Sequence, residues 1–123
     1  MIKWSRRDWI GVERRRYERA DMDCEILYPT LMYNGEQRTF KEEGHLFVLN
    51  VSETGICLQS NFYIPVQSFL SFYFRVEDNI PFKAMVKINW SKVDNGIYTS
   101  GGEFISLNLN DIHILRDYVN KHK

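Results

Sequence analysis

Residues 13–19 read ERRRYER, which places Arg14, Arg15, Arg16 and Arg19 close together in a chain of zero formal net charge. A guanidinium is a planar fork of donors that grips phosphate oxygens or the O6/N7 edge of guanine, and its face stacks on a base. A second polar cluster, NVSETG, runs from Asn50 to Gly55 between two apolar segments. Asn50 and Ser52 stand two apart, so on a strand they share one face and offer an amide and a hydroxyl together. Gly55 suits a tight turn with positive φ. Taken alone, the first cluster is a solvated basic tail and the second a hairpin turn.

Catalysis finds little support in the remaining polar residues. His45, His113 and His122 are scattered, and none has an acid or nucleophile placed beside it in the chain. Glu42 and Glu43 are adjacent and would point apart on a strand; a solvated turn is their better reading. Gly101 and Gly102 follow a strand rather than precede a helix, so they form no phosphate-cradling loop and mark a bulge or a close backbone approach. Cys24 and Cys57 lie in apolar segments without a Cys or His at metal-ligand spacing, and read as buried free thiols. No metal and no cofactor is expected.

The elements that must carry these residues follow from composition and period. At 123 residues, 44% hydrophobic and 15% aromatic, the chain is long enough for one core and short for two. No apolar run reaches the roughly 20 residues that span a bilayer, and MIKWSRRDW lacks the apolar centre of a signal peptide, so a cytoplasmic location is expected. Residues 1–19 hold seven Lys or Arg against Asp8, Glu13 and Glu18, giving +4 there and −4 in the rest. A basic end on an acidic body favours a specific anion site over general nucleic-acid coating.

From Asp23 onward apolar residues recur with period two: Cys24, Ile26 and Tyr28; Leu70, Phe72, Phe74 and Val76; Ala84, Val86, Ile88 and Trp90. Asn34-Gly35, Glu77-Asp78-Asn79 and Asn95-Gly96 supply turns. The pattern predicts a mainly β fold of six antiparallel strands, near 23–33, 44–51, 54–60, 68–77, 81–93 and 96–107, in a small closed or nearly closed barrel. In NDIHILRDYVNKHK, Ile112, Leu115, Tyr118 and Val119 fall at helical spacing, with Asn110 or Asp111 placed to cap. The first residues, with Trp4, Trp9, Ile10 and Val12, fit neither period and read as an arm that docks.

RRxxxR before a first strand, then [D/N]xSxxG across a hairpin, then GGEF entering a last strand before a short helix resembles the PilZ domain over residues 12–121. Arg15 and Arg19 match its RxxxR, and Asn50, Ser52 and Gly55 match its second motif. The resemblance implies a six-stranded barrel with a C-terminal helix at 13–123 behind an arm at 1–12. It also implies a non-enzymatic receptor for the bacterial second messenger cyclic di-GMP, which alters an unidentified protein partner on binding. Arg15 and Arg19 would clamp phosphate and guanine from the arm, while Asn50 and Ser52 hold the other guanine. Asn50 stands where many members carry Asp, whose carboxylate accepts from both guanine N–H groups; the motif admits either. Arg14, just before RxxxR, is associated in such proteins with an intercalated pair of ligands, and is otherwise a solvated neighbour. Two rivals remain: a PilZ-like adaptor that binds only protein, against which the intact arginines and Ser52 count, and a small RNA-binding barrel, against which the acidic body counts.

Overall fold

Strand follows strand from Ala20 to Phe104, and one helix follows them. The computed structural model describes residues 18–123. Its elements are β1 Ala20–Ile26, β2 Thr30–Tyr33, β3 Glu36–Thr39, β4 Leu46–Val51, β5 Gly55–Ser60, β6 Phe69–Phe74, β7 Phe82–Asp94, β8 Ile97–Phe104 and α1 Leu109–His122. The expected arm at 1–12, and the boundary placed after it, lie outside the described residues.

All pairings are antiparallel, in the order β1-β4-β5-β8-β7-β6-β2-β3. The sheet must curl. Only Leu27, Tyr28 and Pro29 separate β1 from β2, a reach of at most about 14 Å between Ile26 and Thr30, yet these strands are first and seventh in the order. A flat sheet would hold them about 29 Å apart at its ordinary strand spacing. The outcome is a half-barrel whose β1 edge approaches β6.

The sheet has eight strands, not the expected six. The segment 23–33 is two strands on opposite flanks of the sheet, broken where Tyr28 takes a φ of 55° and Pro29 offers no amide donor. Strand β3 carries no period-two signal, because Glu36–Thr39 is exposed throughout and has no apolar alternation. It is paired to β2 through the Asn34-Gly35 turn, both residues at positive φ.

Alternating side chains of β1, β4, β5, β6 and β7 fill the concave side. Phe74, Leu46, Ile56, Leu58, Leu70 and Ile88 are among the fully buried residues. Phe74 meets Phe72 and Phe82 edge-on at 5.8 and 5.7 Å and stacks with Phe104 at 6.3 Å, arrangements that suit the ring quadrupoles. Helix α1 buries Leu115, Tyr118 and Val119 and packs against β1; full burial contributes about 1.5–3 kcal/mol for an aliphatic side chain of this kind. Its N-cap is Asn108 rather than Asn110 or Asp111. The Asn108 Oδ1 accepts from the Asp111 amide at 2.8 Å, and Asp111 lies in the first turn, where the helix dipole favours a carboxylate.

Candidate functional site

The register of β1 on β4 pairs Ala20 with Val51 and Asp21 with Asn50, so Arg19 enters the structure beside the NVSETG turn. Its guanidinium lies across the end of β4: Nη1 donates to Asn50 Oδ1 at 3.0 Å. Gly55 permits this close passage. A Cβ there would stand 3.2 Å from Arg19 Nη2 and 2.9 Å from the Gly102 carbonyl oxygen. Gly55 is thus required for room, not for the positive φ expected of it, since Gly35 and Gly96 are the described glycines with positive φ.

Two bulges decide which side chains face outward. On β4, Val48 and Val51 are both fully buried although three positions apart, because the register shifts between Val48 and Asn50 opposite β5. The extra residue reverses the alternation and turns Asn50 to the convex face. On β7 the register shifts between Ile88 and Trp90. Period two places Trp90 with Val86 and Ile88 in the core; the bulge instead brings it outside, where it is 43% exposed. Its indole lies on Gly101, where any Cβ would collide with Nε1 and Cε2. Gly102 accommodates the Lys87 carbonyl in the same way. The glycine pair therefore marks a bulge and a close approach, as its place in the sequence implies.

Cross-strand pairing aligns Asp21, Asn50, Cys57, Gly101 and Trp90 in one row. The row presents a carbonyl acceptor, a thiol and an aromatic platform, with Arg19 above one end. Burial pushes the Cys57 thiol up, opposed by the charges of Arg19 and Lys92 and by a hydrogen bond from Asn50, so Lys92 acts on the same patch. Both Cys57 and Cys24 are free but only half-buried, and burial, with Asp23 nearby, also pushes the Cys24 thiol up.

Ser52 is placed differently from Asn50. It is 1% exposed, and its Oγ accepts from the amides of Thr54 at 3.2 Å and Gly55 at 3.0 Å. The Ser52 amide in turn donates to the Gly55 carbonyl at 2.9 Å. The hydroxyl thus shapes the turn from within rather than standing beside the Asn50 amide on the surface. The next side chain, Glu53, is gripped by Arg116 of α1: Nη2 donates to Oε1 at 2.9 Å and Nε to Oε2 at 3.3 Å. That hydrogen bond, and then the carboxylate's charge, push Arg116 above its ordinary value.

Of the residues singled out in sequence, the fold brings Arg19, Asn50, Ser52 and Gly55 together, while Arg14 and Arg15 lie outside the described residues. Trp90, Cys57 and Glu53 complete the surroundings. Gly101, which leaves room for an indole on the neighbouring strand, is the signal that could have found Trp90. Two histidines do acquire acids through folding: His45 Nδ1 lies 3.4 Å from Glu25 Oε2, and His122 Nε2 lies 2.7 Å from Glu77 Oε2. Both pairs are exposed, and among the described residues the Ser52 hydroxyl meets only Thr54 and Gly55. No set of three or more His, Cys, Asp or Glu among the described residues could hold a metal, and no helix among them is long and apolar enough to cross a membrane. An open depression lined by Met32, Gln37, Gln67 and Phe69 lies at the β2–β3 hairpin, away from the motif residues.

Residues 13–121 match the family described as PilZ domain. No curated protein matches the chain. Among solved structures, the Bacillus subtilis inhibitor of motility MotI/DgrA is similar with a TM-score of 0.62 and 16% identity, over 88% of this chain and 50% of that one. The Borreliella burgdorferi PlzA protein, solved in complex with c-di-GMP, is similar with a TM-score of 0.55 and 18% identity, over 93% of this chain and 44% of that one. The chain thus spans about half the length of each of these proteins, and the likeness extends to the curled sheet and its C-terminal helix. No catalytic family is indicated. With both motifs in the chain and a family match from residue 13 to residue 121, the protein belongs to the PilZ domain family.

Proposed function

We propose that the chain is a receptor module for cyclic di-GMP whose occupancy alters a surface read by a protein partner. The observation that carries this reading is the Arg19 guanidinium lying over Gly55 with Nη1 on Asn50, in the same cross-strand row as the half-exposed Trp90 indole. The ligand has two phosphates and two guanines, and so calls for cations that stack and donate in plane. Arg19 supplies such a cation, the Asn50 oxygen accepts from a guanine edge, and Trp90 offers a stacking face. Ser52 contributes by holding the turn. PlzA, solved with this ligand, adds support through the shared fold.

Arg15 completes the phosphate clamp in this reading, and Arg14 holds a second, intercalated ligand. Two stacked ligands concentrate four negative charges, which one further cation offsets. About two ligands per chain are expected, with Arg14→Ala falling toward one. A calorimetric ratio of one that Arg14→Ala leaves unaltered would remove the intercalated pair and leave the receptor.

The deciding experiment titrates the purified chain with cyclic di-GMP, GTP and a short single-stranded RNA in one buffer. The expected result is a dissociation constant for cyclic di-GMP of about 1 µM or tighter, near −8 kcal/mol, with far weaker binding of the other two. Equal binding of GTP or RNA would overturn the receptor reading. Absence of all three would favour a protein-only adaptor.

A further inference from the structure

The carboxylate in the middle of the ligand turn runs against the chemistry of its neighbours. Glu53 lies between Ser52, whose Oγ closes the turn, and Thr54, whose carbonyl accepts from the Phe104 amide at 2.9 Å. Two residues further on is Gly55, over which the Arg19 guanidinium lies. A free carboxylate here would compete with an anionic ligand for Arg19 and would repel phosphate. Glu53 is not free. Arg116, 63 positions away on α1, holds both its oxygens at 2.9 and 3.3 Å, with the side chains 48% and 26% exposed. Asp117 is the other acid acting on Arg116. The helix is itself fixed to the strand that follows Arg19, since the Tyr118 hydroxyl donates to the Asp21 carbonyl at 2.8 Å.

We propose that Arg116 is a positioning residue for ligand binding: its guanidinium fork draws the Glu53 carboxylate onto the helix and keeps that negative charge away from Arg19 and the ligand phosphates. The inference rests on the cyclic di-GMP reading above. Arg116 touches no ligand in it. The fork matters because two parallel donors fix the direction of a carboxylate, whereas a lysine ammonium supplies only a point charge.

Calorimetry with cyclic di-GMP on the full chain and four variants provides the test. Arg116→Ala should weaken binding about tenfold, the scale of one charge contact at a partly screened site, and the loss should shrink as salt rises. Arg116→Lys should fall between the two. Glu53→Gln removes the ion pair without freeing a charge, so it should bind at least as tightly as the natural chain. The double variant Arg116→Ala/Glu53→Gln should recover that affinity even if its unfolding temperature stays lowered. If the ion pair merely shapes the turn, Glu53→Gln weakens binding as much as Arg116→Ala and the double variant is no better; that pattern overturns the inference. Unaltered affinity in Arg116→Ala overturns it as well, and leaves the receptor reading intact. Failure of the natural chain to bind cyclic di-GMP overturns both together. Should Arg116→Ala not fold, Glu53→Gln alone still separates the two outcomes.

Discussion

Arg19 is exposed, has its guanidinium on the half-buried Asn50 amide, and makes no ion pair among the described residues, so its substitution separates binding from folding. Arg19→Ala should cost about 1.5–3 kcal/mol of cyclic di-GMP binding, the scale of a charge-assisted contact, while the unfolding temperature stays nearly unchanged; normal binding in this variant would remove Arg19 from the site. Gly55→Ala should harm both, because its Cβ meets the Gly102 carbonyl at 2.9 Å as well as Arg19, and backbone yields less readily than a long side chain. Overpacking of this sort costs about 1–3 kcal/mol. Trp90→Ala should lose about 1–3 kcal/mol of binding if a guanine stacks there, and some stability as well, since more than half of the residue is buried and its indole packs on Gly101. The gathering of Arg19, Asn50, Ser52 and Gly55 was legible from their types and spacing, but the inward turn of the Ser52 hydroxyl and the steric need for Gly55 were not. Trp90 and Glu53 were not: one depends on a reversal of alternation, the other on an arginine contributed from the far end of the chain.

At the scale of elements, most strands announced themselves through alternation, and Asn95-Gly96 marked the β7–β8 hairpin, with φ values of 53° and 78°. Bulges are less visible. A single inserted residue leaves apolar content unaltered while exchanging inside for outside, so a count of period two assigns Trp90 to the core. Splitting of the first expected strand was hidden for a different reason: Leu27 and Tyr28 are apolar yet 63% and 56% exposed, continuing a pattern that the backbone abandons. The helix was legible in its apolar face but not in its partners. Tyr118→Phe, which deletes the hydroxyl bonded to Asp21, should lower stability by about 1 kcal/mol, measurable by urea unfolding. The end of α1 is also latched to the turn after β6, where hydrogen bonding from His122, with Lys121 close by, holds the Glu77 carboxyl below its ordinary 4.5. A depressed folded-state pKa contributes stability above the unfolded value that is lost as pH falls through the folded one. Glu77→Gln should therefore flatten the decline in unfolding temperature below about pH 4.5, and an unchanged acid limb would show that the latch contributes nothing.

For the molecule as a whole, the charge is uneven along the sequence: +4 over residues 1–19 and −4 over the remainder, a distribution that suits attraction of an anion to one place rather than general coating. Binding to the folded state alone should raise the unfolding free energy by about 2.7 kcal/mol when cyclic di-GMP is at 100 times its dissociation constant, whereas GTP at that concentration should leave the melting curve in place. The strand order has a kinetic consequence. Strands β7 and β8, 13 and 8 residues long, meet across a two-residue turn, and hairpins of this kind close in about 1–10 µs. By contrast, β1 pairs with β4 across 20 to 31 residues of chain, with β2 and β3 departing to the other flank between them, so its loop-closure entropy is the larger. The rung that brings Arg19 to Asn50 is then expected to form late, after the barrier has been crossed. Substitutions near Asn95 should change the refolding rate, those at the β1–β4 rung chiefly the unfolding rate, and cyclic di-GMP should lengthen the lifetime of the folded chain without hastening its formation.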